Sequence, residues 1–505
     1  MSATGPVAAA ITGQPRKRRN AELVLVLFAL GLSLLAYLSV GFNRGEPVDL
    51  TRAYPLGGLA VLVLVAHLVL RVRAPYADPV LLPSVTLLNG LGLVLIHVVD
   101  AFRGASAVSR GRPAPPDVAA TQLVWTALGI ALFTVVVLAV RDHRVLARFT
   151  YTAGFAAIAL LLLPLVPVLG ATINGARIWV SAGGLSFQPG EIAKILLALF
   201  FAGYLAAKRD ALAVAGRRFV GVDLPRGRDL GPILAAWAVS LGVLVLERDL
   251  GASLLLFGLF VVMLYVATER VGWVLLGIVL FAAGAFFAYS QFGYVRARVS
   301  VWLNPFADPS DSGFQIVQSL YGLANGGLVG TGLGRGQPTL VPLANSDFIA
   351  TTLGESLGLA GLMAVIVLYG LVVERGLRTS LTCRDPFGKL LALGLSFTLA
   401  LQTFVVVGGV TRLIPLTGLT TPFLSAGGSS LVANWVVVAL LVVISDGARR
   451  PVPAAPAVPG VAQAAQAAGG GGSHGGVGHG GVGHGVNSGP DDAPTIVTVP
   501  AGTSR

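Results

Sequence analysis

Residues 120–140 read ATQLVWTALGIALFTVVVLAV, an uninterrupted run without a single charge. A helix rises about 1.5 Å per residue, so about 20 apolar residues are needed to cross the hydrocarbon core of a bilayer. This run is long enough, and eleven others accompany it. They lie near 21–41, 54–71, 79–99, 152–170, 190–207, 230–246, 251–267, 271–292, 348–373, 387–410 and 428–446. The whole composition agrees. Charged residues make up 11% of the 505 positions and hydrophobic ones 55%, whereas a soluble protein carries about 25% charged residues. The expected fold class is therefore all-α, a polytopic helical membrane protein with about twelve transmembrane helices.

Orientation follows from the basic residues. Arg16-Lys17-Arg18-Arg19 precedes the first span with no small-residue cleavage site after it, so a removable signal peptide is not expected. Placing this cluster in the cytoplasm puts both termini there. The cytoplasmic segments then hold twice as many Lys and Arg as the outer loops, as the positive-inside rule requires. The same loops account for the net charge of +12 through contact with anionic lipid headgroups. Nucleic acid is not an expected partner, because the cations are dispersed and no reading motif accompanies them. The single cysteine, Cys383, excludes a disulfide framework and any cysteine-based metal site.

Four regions emerge: a basic N-terminus (1–20), N-terminal spans (21–150), a core (151–450) and a Gly/His/Pro-rich tail (451–505). The tail cannot bury enough apolar area to offset its ordering entropy and reads as disordered. Two outer loops are candidates for function, since loops on a rigid scaffold usually carry it. One, 171–189, is short and glycine-rich. The other, 293–347, is long, and its Gln315–Leu323 stretch has helical spacing suited to a short interfacial helix.

Chemistry-bearing residues concentrate around these loops. Arg177 sits beside Trp179. Glu191 occupies the first turn of the sixth span, and Lys194, three residues on, projects from the same face inside the membrane. An intramembrane lysine needs a partner or a cavity. Either the two satisfy each other, or they form a cationic pocket for a phosphorylated headgroup. Asp249 reads as an N-cap for the eighth span. Asp308 is held between Pro305 and Pro309, Asp347 ends the long loop, and Glu355 falls inside the tenth span. Taken alone, these residues suggest an outward site for an anionic lipid-linked substrate and do not separate transport from catalysis.

The stretches Gly175 to Lys194, Glu247 to Gly251, Trp302 to Ser319, Asp347 to Gly358 and Pro415 to Ser430 together resemble the SEDS family of cell-wall proteins, the RodA and FtsW group, and within it the actinobacterial RodA-like members. The resemblance implies a ten-helix core with two extra N-terminal helices. It also implies a peptidoglycan glycosyltransferase that polymerises lipid II on the outer face of the cytoplasmic membrane. A class B penicillin-binding protein, a transpeptidase, is the implied partner. No cofactor is certain, and assistance by a divalent cation stays open. The family's loop aspartate maps onto Asp308, implying a general base. Arg177 and Lys194 would hold the pyrophosphate, with Glu191, Asp347, Glu355, Gln318, Ser319 and Ser429 completing the substrate site.

Three positions depart from the family's pattern: Gly190 in Gln-Pro-Gly-Glu, Asn345 in Asn-Ser-Asp-Phe, and Ala426 in Ser-Ala-Gly-Gly. The competing function is a lipid II flippase, and a third is a scaffold. Alternating access usually rests on internal repeats, and none is evident here. If the tail is a linker, truncation after Arg450 leaves polymerisation by the purified protein near wild type. A large loss in that assay would show a functional tail.

Overall fold

The computed structural model describes residues 17–45, 50–173, 176–182, 185–213, 217–219, 222–224 and 227–451. The tail expectation lies outside these residues, as do Gly175 and the first part of the basic N-terminus.

Each expected span meets a helix: α1 (Arg19–Arg44), α2 (Tyr54–Arg73), α3 (Leu81–Ser109), α4 (Val118–Ala139), α5 (Thr150–Leu162), α6 (Pro189–Ala213), α7 (Gly227–Leu246), α8 (Leu250–Thr268) and α9 (Gly272–Gln291). After the long loop come α12 (Ile349–Thr382), α13 (Pro386–Val410) and α14 (Gly428–Arg449). Among the described residues, eleven helices are long and apolar enough to cross a membrane. The exception is α7, whose apolar stretch is confined to Leu234–Leu246.

Local chemistry starts several of these helices. The Asp117 carboxylate accepts the N–H groups of Ala119 and Ala120 at the head of α4. Asp249 caps α8 as expected, accepting from Ala252 at 2.8 Å, and Asp385 caps α13 just before Pro386. Such caps satisfy N–H groups that the helix itself leaves unpaired.

At the centre stand α3 and α14, whose apolar windows are almost wholly buried, while α9 exposes nearly all of its surface. Hydrophobicity alone cannot drive helices together in lipid, so shape complementarity and polar contacts do. The fully buried Trp435 of α14 packs edge-on between Phe133 of α4 and Phe423. The N-terminal helices attach through charge as well as packing. Buried Glu22 on α1 pairs with Arg19 and accepts from His67 Nδ1 on α2 at 2.7 Å. Arg19 also donates to the Ala77 carbonyl ahead of α3.

The loops 171–189 and 293–347 both hold more structure than expected. The segment 171–189 forms most of a three-stranded antiparallel sheet, β1 (Gly170–Ile173), β2 (Ala176–Ala182) and β3 (Leu185–Phe187), with Ala171 opposite Trp179 and Val180 opposite Phe187. Its strands are too short for alternation to outweigh the glycines in a sequence reading. A second hairpin pairs β4 (Arg217–Phe219) with β5 (Val222–Leu224). The long loop holds α10 (Gly293–Leu303), unforeseen, and α11 (Phe314–Gly326), a short helix where Gln315–Leu323 has the spacing for one.

The kinked helix α12, with Gly358 at φ 68°, separates the long loop from the α12–α13 connection. In a Cys383→Ser background, Ser310→Cys should react with an impermeant thiol reagent on intact cells. Leu381→Cys, at the far end of α12 and 78% exposed, should react only after permeabilisation. Labelling in the opposite sense would invert the topology.

Candidate active site

The segment 411–427 between α13 and α14 is not helical, and its backbone polar groups need partners where water is scarce. Side chains from four helices supply them. Arg298 of α10 donates to the carbonyls of Leu416 and Thr417 at 3.1 and 3.0 Å. Gln402 of α13 donates to Thr420 O at 2.9 Å, Gln122 of α4 to Ser425 O at 3.0 Å, and Tyr369 of α12 to Pro422 O. Arg412, in the left-handed region at φ 62°, donates through Nε to Trp302 O at 2.8 Å and accepts from Trp302 Nε1 at 3.2 Å. This exchange ties the end of α10 to the end of α13.

The bracing leaves a cavity of about 510 Å³ between α10, α11 and the broken segment. Its polar wall consists of Arg298, Trp302, Ser312, Gln315, Asp347 and Arg412, and Ile316, Leu343, Ile414 and Leu416 supply apolar surface. Burial pushes the Asp347 carboxyl up to about 6, against the opposing pull of the Ser346 hydroxyl and the Arg298 charge.

Asp308 stands at the rim, coupled to the cavity through Ser312. Pro305 opens a single 3-10 turn, Pro305–Ala307, and Asp308 follows it exposed to solvent. Its carboxylate accepts the Ser312 backbone N–H at 3.1 Å and the Ser312 hydroxyl at 3.0 Å. These bonds favour the charged form and hold the carboxyl below its ordinary range. The turn closes only because residue 313 is glycine. A Cβ there would collide with the Pro305 carbonyl oxygen and lie 2.7 Å from that of Asp308.

The other expected residues fall elsewhere. Lys194 Nζ lies 2.6 Å from Glu191 Oε2 and donates to Gln402 Oε1 at 2.9 Å. Its charge is met, and only about 30 Å³ of space remains beside it. Of the two sequence readings of this pair, the geometry realises the self-satisfied one. Arg177, on β2, donates through Nη2 to Val166 O at 3.3 Å and through its backbone N–H to Glu247 O at 3.2 Å. Neither cation lines the large cavity.

Glu355 is buried and accepts from Asn325 Nδ2 and Gln337 N at 3.0 and 2.9 Å, which organises the loop after α11. Ser319 is buried against Thr351 Oγ1 at 2.7 Å, and Ser429 accepts from Gln188 N at 2.9 Å. These three brace the site and do not line it, and Gln318 on α11 is likewise outside the lining. The cations that do line the cavity, Arg298 and Arg412, were visible in sequence only as loop charges. Nothing in their spacing distinguished them from Arg296 or Arg335.

A chain of charge connects the two cavities. Buried Asp249 at the head of α8 feels Glu191, Lys194 and Arg298, and burial raises its proton affinity. Next to it, Glu247 is pushed up to about 8 by burial and by the Asp249 charge.

The model of the FtsW/RodA/SpoVE cell cycle proteins matches residues 79–450. The chain belongs to this family. The match begins just ahead of α3 and leaves α1 and α2 outside it. A protein named peptidoglycan glycosyltransferase RodA from Mycobacterium tuberculosis H37Rv is 53% identical over 452 residues, covering 88% of this chain and 94% of that one. The protein of the same name from Mycobacterium leprae is 49% identical over 442 residues, covering 87% and 93%. A probable peptidoglycan glycosyltransferase FtsW from Geobacter metallireducens is 35% identical over 327 residues, covering 64% and 84%. Among solved structures, a chain of a peptidoglycan synthase complex that coordinates polymerization and crosslinking superposes with a TM-score of 0.50 at 26% identity. That match covers 79% of this chain and 98% of the other.

The buried Glu191–Lys194 pair yields a stability test. Lys194→Met leaves an uncompensated buried carboxylate and should destabilise the protein by about 3–5 kcal/mol. Adding Glu191→Gln should recover most of that loss in thermal unfolding in detergent, since residues in contact are not additive. Equal melting temperatures for the single and double variants would show that the pair is not coupled.

Proposed function

We propose that this chain is a peptidoglycan glycosyltransferase that polymerises lipid II on the outer face of the cytoplasmic membrane. The observation that carries the reading is the cavity walled by Arg298 and Arg412, with the Asp308 carboxylate fixed at its rim by Ser312. The names of relatives along nearly the whole chain support the same activity.

The chemistry follows from the placement. Asp308 is ionised at neutral pH, because Ser312 holds its proton affinity low. A general base is most effective when its pKa lies near the working pH. The acceptor's 4-hydroxyl donates to this carboxylate, which the two Ser312 bonds to Oδ2 hold in position. The hydroxyl oxygen attacks the donor's anomeric carbon while its proton passes to Asp308. The bond from that carbon to the pyrophosphate oxygen breaks, and undecaprenyl pyrophosphate leaves.

Developing negative charge on the leaving group is best met by fixed cations in a water-poor site. Arg298 and Arg412 are already oriented by backbone carbonyls, so little reorganisation is required. Lys194, beside the smaller neighbouring cavity, and Arg177, bonded to the Val166 and Glu247 carbonyls, would then hold the structure around the site. Among the described residues, no three His, Cys, Asp or Glu side chains converge at this cavity. The implied partner is a class B penicillin-binding transpeptidase, in line with the described role of the structurally similar synthase complex.

Asp308→Asn should lower polymerisation of purified lipid II by about 10² or more, the loss expected for a positioned base. Asp311→Asn, equally exposed, controls for surface charge and should cost under about tenfold on the same reasoning. A flippase predicts no polymer from either protein. Glycan made by Asp308→Asn within a few-fold of wild type would remove this residue from the mechanism.

A further inference from the structure

At the opposite end of the helices from the cavity, three ligand-type side chains from two connections meet. His143 follows α4, Cys383 follows α12, and Asp385 precedes α13. His143 Nε2 lies 2.7 Å from Asp385 Oδ1, Cys383 Sγ lies 3.3 Å from the same oxygen, and Sγ and Nε2 are 3.8 Å apart. The sequence count excluded a cysteine-based metal site because there is one cysteine. The fold assembles a mixed set instead.

We propose that His143, Cys383 and Asp385 form a binding site for a d10 divalent metal ion, zinc by its ligand chemistry. It rests on geometry, on space and on charge. The three separations define a triangle whose corners are all about 1.9 Å from a common centre. An ion standing slightly out of that plane meets all three at roughly the 2.0–2.3 Å that zinc prefers for N, O and S donors, with the fourth tetrahedral position left for water.

Space is kept by Gly388 on the first turn of α13. A Cβ at this residue would lie 2.7 Å from Cys383 Sγ and closer still to His143 Nε2, so any larger residue would push these two ligand atoms out of place. Charge closes the argument. One thiolate and one carboxylate neutralise a divalent cation, which suits a cluster whose His143 and Cys383 are buried.

The surroundings support the same assignment. Asp385 Oδ2 is held by the Gly388 N–H at 2.7 Å, which leaves Oδ1 facing the other ligands. Arg144 also reaches Oδ1, at 3.4 Å, but 61% of its side chain is exposed, and it can turn to solvent as an ion enters. A bound ion would clamp the α4–α5 connection to the α12–α13 connection.

Cobalt(II) gives the test, since tetrahedral thiolate coordination produces a near-ultraviolet sulfur-to-cobalt absorption band. Cys383 is the only cysteine in the chain, so the band can arise nowhere else, whatever His474, His479 and His484 bind. The purified full chain should develop the band, saturating at one cobalt per protein, and added zinc should bleach it. Cys383→Ser should abolish it, and Gly388→Ala should block binding. Absence of the band in the wild-type protein would overturn the proposal in favour of a purely hydrogen-bonded cluster. Wild-type affinity in a folded Gly388→Ala protein would overturn the placement of the ion.

Discussion

A stretch of backbone that is neither helix nor sheet cannot sit at membrane depth unless something else satisfies it. Residues 411–427 are neither helix nor sheet, and the end of the molecule that holds the long loop is arranged around their carbonyls. Arg298, Gln402, Gln122 and Tyr369 reach them from four different helices. Because the donors are side chains, the segment is held at a distance from the helices. On the α10 side, where Arg298 does the bracing, the space between is the cavity. The guanidinium groups that brace the backbone thereby become the cations lining the site.

The same constraint divides the charged residues into two kinds. Lys194 and Glu191 neutralise each other, with Gln402 completing the lysine's contacts. Glu355 is satisfied by Asn325 and the Gln337 backbone. These groups hold elements in place at the cost of their own availability. Asp308, exposed and bonded to Ser312 of its own turn, keeps its carboxylate accessible. Burying a charge demands pairing, and pairing removes it from chemistry, so the available carboxylate belongs on the exposed turn.

Much of this architecture was legible in the residues alone. Twelve apolar runs, the Asp249 cap and the helix after Gly313 follow from length, capping chemistry and periodicity, which act over a few neighbours and survive any tertiary arrangement. The sheet over 170–187 was not legible, because three- to seven-residue strands become stable only when paired. Helix α10 also escaped notice, since its arginines interrupt the apolar pattern.

The tertiary structure decided which residues share a site. Ser319 and Ser429 carry hydroxyls of the type a sugar-binding site needs, yet packing turns both inward to partners far away in the chain. Arg298 and Arg412 looked no different from other loop arginines until the carbonyls they hold were placed beside them. At the other end, His143 and Asp385 stand 242 residues apart and meet within hydrogen-bond distance. Residue type and local spacing are written along the chain. Proximity between distant side chains is set by how the helices pack, and no local pattern encodes it.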